Sequence, residues 1–399
     1  MKILVAHNGY MSAYGGEDIC YESEVEILRR NGNEVIVYYR NNNEICGKST
    51  FSKIKLYYCS SWSRDTYNDV LKIIKRDKPD VLYVHNTWFC ITPSILAAAK
   101  DMGVPVVARL HNYRLICLDG SLRMGASSCE KCVGTAPLYG VYHRCYKKSY
   151  SASYMLYRYV ITAQKDNYFN ESVAAVIVLT KKMSDIYARS GLVESNKIKV
   201  LPPFIQDKAN ISPYYQGMQG ACFVGQLTEQ KGVHILIKAW LKLRAHEKLL
   251  IVGCGPQESI LKDLAEGAGN IHFTGMVGND KVLEYMQSSK YVVVPSLGNE
   301  GFGMVVTEAF KCGRAVLAND SGSLNHIVAH GKNGIVCDIM DENEFIASLR
   351  TLLDEKKAIE MGKNAREEYE MKYNPKKQYA QLISVLKEAS GMAGSGIYD

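Results

Sequence analysis

The stretch YVVVPSLGNEGFGMVVTEAF, Tyr291 to Phe310, decides the fold. It opens on a short apolar run that reads as a buried strand ending at Ser296. The Gly-rich turn GNEGFG follows, and a helix begins near Met304. The first N–H groups of such a helix have no intrahelical partner and carry partial positive charge. Gly301 and Gly303 let backbone approach a ligand closely, so the turn makes a cradle for phosphate or for the hydroxyl-rich face of a sugar. Glu300 and Glu308 flank that cradle, eight positions apart. Carboxylates beside a phosphate site repel the phosphate, so they need another partner, and sugar hydroxyls suit them as O–H donors. The plainer alternative is a capped helix with two surface glutamates.

The same strand–helix alternation runs through the whole chain. KILVAH, EVIVYY, PDVLYVH, VPVVARLH and VAAVIVLT alternate with amphipathic helices in the first half. ACFVG, KLLIVG, IHFTG, YVVVPS, RAVLAND and NGIVCD do so in the second. Short Val/Ile-rich runs between helices indicate a parallel sheet covered on both faces. The expected fold is α/β, two tandem doubly wound Rossmann-like domains over 1–205 and 206–373. A deep interdomain cleft is expected at the carboxyl ends of the strands, where such sheets bind ligands. The boundary is placed in VLPPFIQDKANISPYYQGM, whose prolines disfavour helix and central strand. Asn374 and Pro375 start a last helix over 374–389, with Tyr379, Leu382, Ile383 and Leu386 on one face. That helix is expected to pack back onto the first domain, and 390–399 to form a loose tail.

Length and composition agree with this. The chain has 399 residues, 47% of them apolar and 22% charged, which suits two ordinary globular domains. No run of 18 apolar residues is present, and the N-terminal stretch does not read as a signal peptide. The expected setting is cytoplasmic and reducing, so the 12 cysteines are not expected to pair as disulfides. Charge is uneven: Met1–Ile205 carries 27 Lys/Arg against 18 Asp/Glu, and the remainder 21 against 23. Arg109–Lys165 alone holds nine positive and two negative side chains, with many tyrosines. Such a stretch suits anionic lipid, a phosphorylated substrate or nucleic acid, or is simply a solvated face. No nucleic-acid-binding module is present, and none is expected as a partner.

The Glu300-to-Glu308 segment resembles the E-x7-E signature of the family 4 retaining glycosyltransferases, which have the GT-B fold. The likeness is collinear over nearly the whole chain, through YGGEDICYESEVEILRRNGNEVIVY, CFVGQLTEQKG, LLIVGCGP, IHFTGMV and GKNGIVCD. The resemblance implies a nucleotide-sugar donor, a UDP- or GDP-sugar, in the interdomain cleft. Glu300, Phe302, Gly303 and Met304 would meet the transferred sugar, and Glu308 the ribose hydroxyls. Lys231 would pair with the diphosphate, and Gly15 and Gly16 would let the loop after the first strand close over it. Backbone near Met276 and Val277 would hold the base. His111 would hydrogen-bond a donor-sugar hydroxyl as a catalytic residue, and His85 would contact the acceptor. The family implies retention of configuration, here by a front-face route in which the departing diphosphate helps deprotonate the acceptor. The sequence departs from the pattern at Gln226, where the family has arginine, at Pro203, and at Ser323 and Asn325. No two aspartates stand two positions apart, so metal-independent transfer is expected, with no cofactor required.

Two further segments call for readings of their own. Cys117, Cys129, Cys132 and Cys145 lie within 29 residues and include one C-x-x-C pair. That suits a structural zinc, with free thiols as the alternative and disulfides as a third. The following YKKSYSASYMLYRYVITAQK reads as a basic, Tyr-rich interfacial helix rather than a core one. It points to peripheral contact with an anionic membrane surface, while the family resemblance implies a saccharide or polyprenyl-linked acceptor and a role in surface polysaccharide or glycolipid assembly. Competing functions are a sugar-nucleotide epimerase on the same fold, and a dinucleotide-binding oxidoreductase, for which IVGCGPQE lacks the third glycine.

Overall fold

A computed structural model describes residues 1–10, 15–45, 59–125, 127–165, 168–204, 213, 215–244, 246–298 and 301–392. The chain divides into two compact units, Met1–Gln206 with Lys376–Asp399, and Asp207–Pro375.

The first unit is built on six parallel strands: β1 Lys2–Gly9, β2 Glu34–Asn41, β3 Val81–Val84, β4 Val106–Leu110, β7 Val173–Val178 and β8 Ile198–Val200. They lie in the order β2-β1-β3-β4-β7-β8. A two-stranded antiparallel pair, β5 Arg123–Met124 and β6 Ser127–Ser128, stands apart from this sheet. The central strands read as nearly unbroken apolar runs because helices cover both faces. Ile3, Val5, Val81, Tyr83, Val107 and Ile177 form one core with Val25 and Leu28 of the Gly16–Arg30 helix. Leu382, Val385 and Leu386 of the Pro375–Ala389 helix enter that same core. Full burial of each leucine contributes about 1.5–3 kcal/mol, which anchors the chain's last helix to its first strands.

The Tyr150–Lys165 helix corrects an expectation. Leu156, Tyr159, Val160 and Ala163 are buried, at helical spacing, so this helix has a core face. The helix also begins later than the sequence pattern, because Lys147 and Lys148 adopt left-handed backbone with φ 53 and 52. Tyr150 and Tyr154 remain exposed on the other side.

The second unit repeats the plan with β9 Ala221–Val224, β10 Leu249–Val252, β11 Ile271–Gly275, β12 Tyr291–Val294, β13 Ala315–Asn319 and β14 Gly334–Cys337. The order is β11-β10-β9-β12-β13-β14, with every pair parallel. All carboxyl ends therefore meet along one edge. Among the described residues no helix is long and apolar enough to cross a membrane.

Candidate functional site

In the first unit, β3 and β4 are sheet neighbours, and each is followed at once by a histidine. His85 and His111 thus emerge side by side at the carboxyl edge. His85 Nδ1 lies 3.2 Å from His111 Nε2, and the rings stack at 5.4 Å between centroids. Behind them sits Glu24, wholly buried on the Gly16–Arg30 helix. Its Oε2 accepts from the Tyr83 hydroxyl at 2.6 Å and lies 3.3 Å from His85 Nε2. Its Oε1 lies 3.1 Å from Arg109 Nη1. Neither nitrogen is aligned for a hydrogen bond, so both contacts are electrostatic. Arg109 Nη2 donates instead to the carbonyls of Leu201 and Pro202, at 3.1 and 2.8 Å.

This arrangement fixes the protons. A lone pair on His85 Nε2 facing a carboxylate would be repelled, so that nitrogen carries the hydrogen. His85 Nδ1 then accepts from His111 Nε2–H, and His111 Nδ1 is left as an acceptor for a ligand hydroxyl. Burial, with Arg109 nearby, holds both imidazoles well below the ordinary histidine range. They are neutral at physiological pH. Burial also pushes the Glu24 carboxyl up, against the pull of Arg109.

A cavity opens in front of the two histidines, with Glu17, Trp88, Arg114 and Tyr159 among its lining residues. Gly15 and Gly16 stand at the start of the helix that carries Glu17. The Gly15 N–H donates to Asp18 Oδ2 at 3.0 Å, and Asp18 Oδ1 pairs with His7 Nε2 at 2.9 Å. The end of β1 and the first turn of the helix are thereby tied together. His7, Asp18, Glu24, Arg109, Glu17 and Arg114 were not singled out in the sequence. The signals were present for two of them: Arg109 interrupts an otherwise apolar strand, and Glu24 sits within an apolar helical stripe.

In the second unit, the carboxyl edge is a shelf of bare backbone. β9 is followed by Gly225, β10 by Gly253, and β11 ends on Gly275. The N–H of Gly253 donates to Gly275 O at 3.0 Å. A Cβ at Gly253, where φ is +133, would fall 1.9 Å from Gly225 O. Gln226 is exposed just past this shelf, and so is Met276, followed by the half-buried Val277. Lys231 ends a short Glu229–Lys231 turn. That turn is pinned to the β12–helix loop, since Leu297 N–H donates to Gln230 O at 2.8 Å. Asn319, at the end of β13, and Ser321, just past it, brace the same loop through Ser296 O. Lys231 and the start of the Gly-rich turn are therefore brought together.

Met304 begins the Met304–Lys311 helix, capped by Gly303 at φ 77. The Phe302 ring is buried and packs on Tyr373, so only its backbone can meet a ligand at this turn. Glu308 lies in the second turn, half-buried, and burial pushes its carboxyl up to about 7 despite Lys311. Glu300 lies outside the described residues.

Among the described residues no group of three or more His, Cys, Asp or Glu is placed to hold a metal ion. Cys117, Cys129, Cys132 and Cys145 are free thiols. The N–H groups of Cys117, Cys129 and Cys145 bond to Tyr113 O, Leu122 O and Gly140 O. Burial pushes the thiols of Cys117, Cys132 and Cys145 up, the last to about 11.

Two parallel-sheet Rossmann-like units of this kind define the GT-B class. The family model of Glycosyltransferase Family 4 matches residues 20–208, and that of Glycosyl transferases group 1 matches residues 207–368. The chain belongs to these glycosyltransferases. Its relatives include the phosphatidyl-myo-inositol mannosyltransferase of Mycolicibacterium smegmatis, 30% identical over 174 residues. That match covers 42% of this chain and 45% of the relative. A glycosyltransferase of Methanocaldococcus jannaschii, MJ1607, is 40% identical over 118 residues, 28% of this chain and 30% of that protein. The chain thus spans less than half the length of these curated relatives. Among solved structures, Anabaena HepE in complex with UDP aligns over 97% of this chain and 100% of its own, with TM-score 0.67 and 17% identity. That likeness concerns the fold.

Proposed function

We propose that this protein transfers a sugar, with retention, from a nucleotide-diphosphate sugar to a saccharide or lipid-linked acceptor. The observation that carries this reading is the glycine shelf of the second unit, together with the half-buried Glu308 carboxyl on the next helix. Bare backbone admits a diphosphate, and a carboxylate held in a partly dry place is matched by the paired hydroxyls of ribose. Lys231 supplies positive charge to the diphosphate, and does so without an arginine at Gln226. Gly15 and Gly16 serve the diphosphate as well. Glu300, with backbone at Phe302, Gly303 and Met304, serves the transferred sugar, while backbone at Met276 and Val277 serves the base. Residues 1–205 serve the acceptor and residues 206–373 the donor.

His111, through the acceptor nitrogen Nδ1, orients a hydroxyl of the donor sugar, and His85 faces the acceptor side. The bond from the anomeric carbon to the diphosphate oxygen breaks, and the acceptor oxygen attacks the same face. The departing diphosphate takes the acceptor's proton. The protein's contribution is positioning and charge stabilisation. Incubating the protein with UDP-, GDP- and ADP-sugars and assaying nucleoside diphosphate release tests the reading. Release from none of them, with or without saccharide acceptors, would overturn it.

A membrane-facing role rests on a separate observation. Leu138, Tyr142, Tyr150 and Tyr154 are exposed on the first unit, amid Arg144, Lys147 and Lys148. Aromatic and basic side chains together suit the surface of an anionic bilayer and peripheral, cytoplasmic-face binding in polysaccharide or glycolipid assembly. Sedimentation with anionic liposomes at low salt, lost at high salt, is the expected result.

A further inference from the structure

The first-unit cavity holds a cation that the reading above does not use. Arg114 follows His111 by three residues, and its N–H donates to Asn112 Oδ1 at 2.9 Å, which turns the chain back. Its side chain lies close over Gly120, where a Cβ would fall 3.3 Å from Nη2. The Tyr146 ring sits 5.5 Å from the guanidinium carbon. The head group is thus fixed in place, yet Nε and Nη1 are buried with no hydrogen-bond partner among the described residues. A guanidinium stays charged, and buried N–H groups are ordinarily satisfied.

The cavity's own carboxylate does not satisfy them. Glu17 accepts from the Tyr10 hydroxyl at 3.1 Å and bonds to neither nitrogen. Burial also pushes the Glu17 carboxyl up to about 7, so it neutralises Arg114 only in part at neutral pH. The imidazoles of His85 and His111 are neutral. Two cations line the cavity beside Trp88 and Tyr159: Arg109, whose Nη1 faces the Glu24 carboxyl at 3.1 Å, and Arg114, which no carboxylate bonds among the described residues. Trp88 Nε1 and the Tyr159 hydroxyl are already bonded, to Tyr146 and Thr87.

We propose that Arg114 binds an anionic substituent, carboxylate or phosphoryl, on the acceptor saccharide. This rests on reading the cavity as the acceptor side of a glycosyltransferase. It narrows the acceptor to charged sugars, in which an oxyanion pairs with the Arg114 guanidinium.

The test measures binding of three probes to the full chain by isothermal titration: methyl glucoside, methyl glucuronoside and glucose 6-phosphate. At least one charged probe should bind about tenfold or more tightly than methyl glucoside, the scale of one charge-assisted hydrogen bond. A preference for glucuronoside assigns a carboxylate, and one for the phosphate ester a phosphoryl group. Arg114→Gln should abolish the preference while leaving methyl glucoside and UDP affinity unchanged, and Arg114→Lys should retain part of it. Equal binding of all three probes to the unaltered protein would overturn the proposal, whether or not the variant folds. So would a preference that survives in Arg114→Gln. Nucleoside diphosphate release is followed in parallel. Release that persists while the charge preference is absent overturns the Arg114 assignment alone, whereas release from no donor strikes the glycosyltransferase reading itself.

Discussion

His85 Nδ1 and His111 Nε2 lie 3.2 Å apart, and behind them His85 Nε2 faces the buried Glu24 carboxylate at 3.3 Å. The two imidazoles act as one unit. The carboxylate sets the tautomer of the first, and the first sets that of the second. His111→Ala removes the outermost acceptor and should lower kcat by about 10²-fold with UDP affinity preserved, as for loss of one oriented transition-state contact. His85→Ala should cost less and leave KM for the donor nearly unchanged. Steady-state kinetics with the best donor checks both. Equal and large losses of UDP affinity would contradict the assignment.

Glu24 and Arg109 are both wholly buried, with no exposed surface on either. Removing one partner strands the other's charge. Glu24→Gln should destabilise the protein by about 3–5 kcal/mol, and Glu24→Met with Arg109→Met should recover most of that loss. Urea unfolding of the single and double variants measures it.

Glu308 ties donor binding to pH. Its carboxyl sits near 7 in the free protein, above the ordinary 4.5. Ribose hydroxyls bond better to the ionised form, so donor binding lowers that value and releases a proton near neutrality. UDP affinity should rise with pH through about 7, and Glu308→Gln should flatten the rise. Calorimetry in buffers of different ionisation enthalpy counts the proton. The same shift has a stability consequence. Between about 4.5 and 7 the folded state binds more protons at this site than the unfolded state. Stability therefore falls as pH rises through that window, and Glu308→Gln should remove this contribution.

The glycine shelf gives a sharper structural test. Gly253→Ala puts a Cβ 1.9 Å from Gly225 O at positive φ. It should cost more than about 2 kcal/mol and weaken UDP binding. Gly269→Ala, where nothing lies within 4 Å of the new carbon, should change stability by less than about 0.5 kcal/mol. Thermal melts with and without UDP compare the two.

The sheets were legible in the sequence because buried parallel strands are short Val/Ile runs, and YVVV or VVAR can hardly be anything else in this setting. His85 and His111 were legible because each stands just past such a run. The charges behind them were not. Glu24, Arg109 and Asp18 owe their roles to partners brought together by sheet order, and no local pattern states which strand lies next to which. Arg114 was hidden in a segment whose many cations all looked like surface. The Tyr-rich helix misled because its tyrosines masked the regular stripe Leu156, Tyr159, Val160 and Ala163.

Glu308→Ala, assayed for nucleoside diphosphate release and for UDP affinity beside the unaltered protein, tests the central claim most directly. The account predicts release from at least one nucleotide sugar by the unaltered protein, and a loss of both properties in the variant. Unchanged affinity together with unchanged release would contradict it.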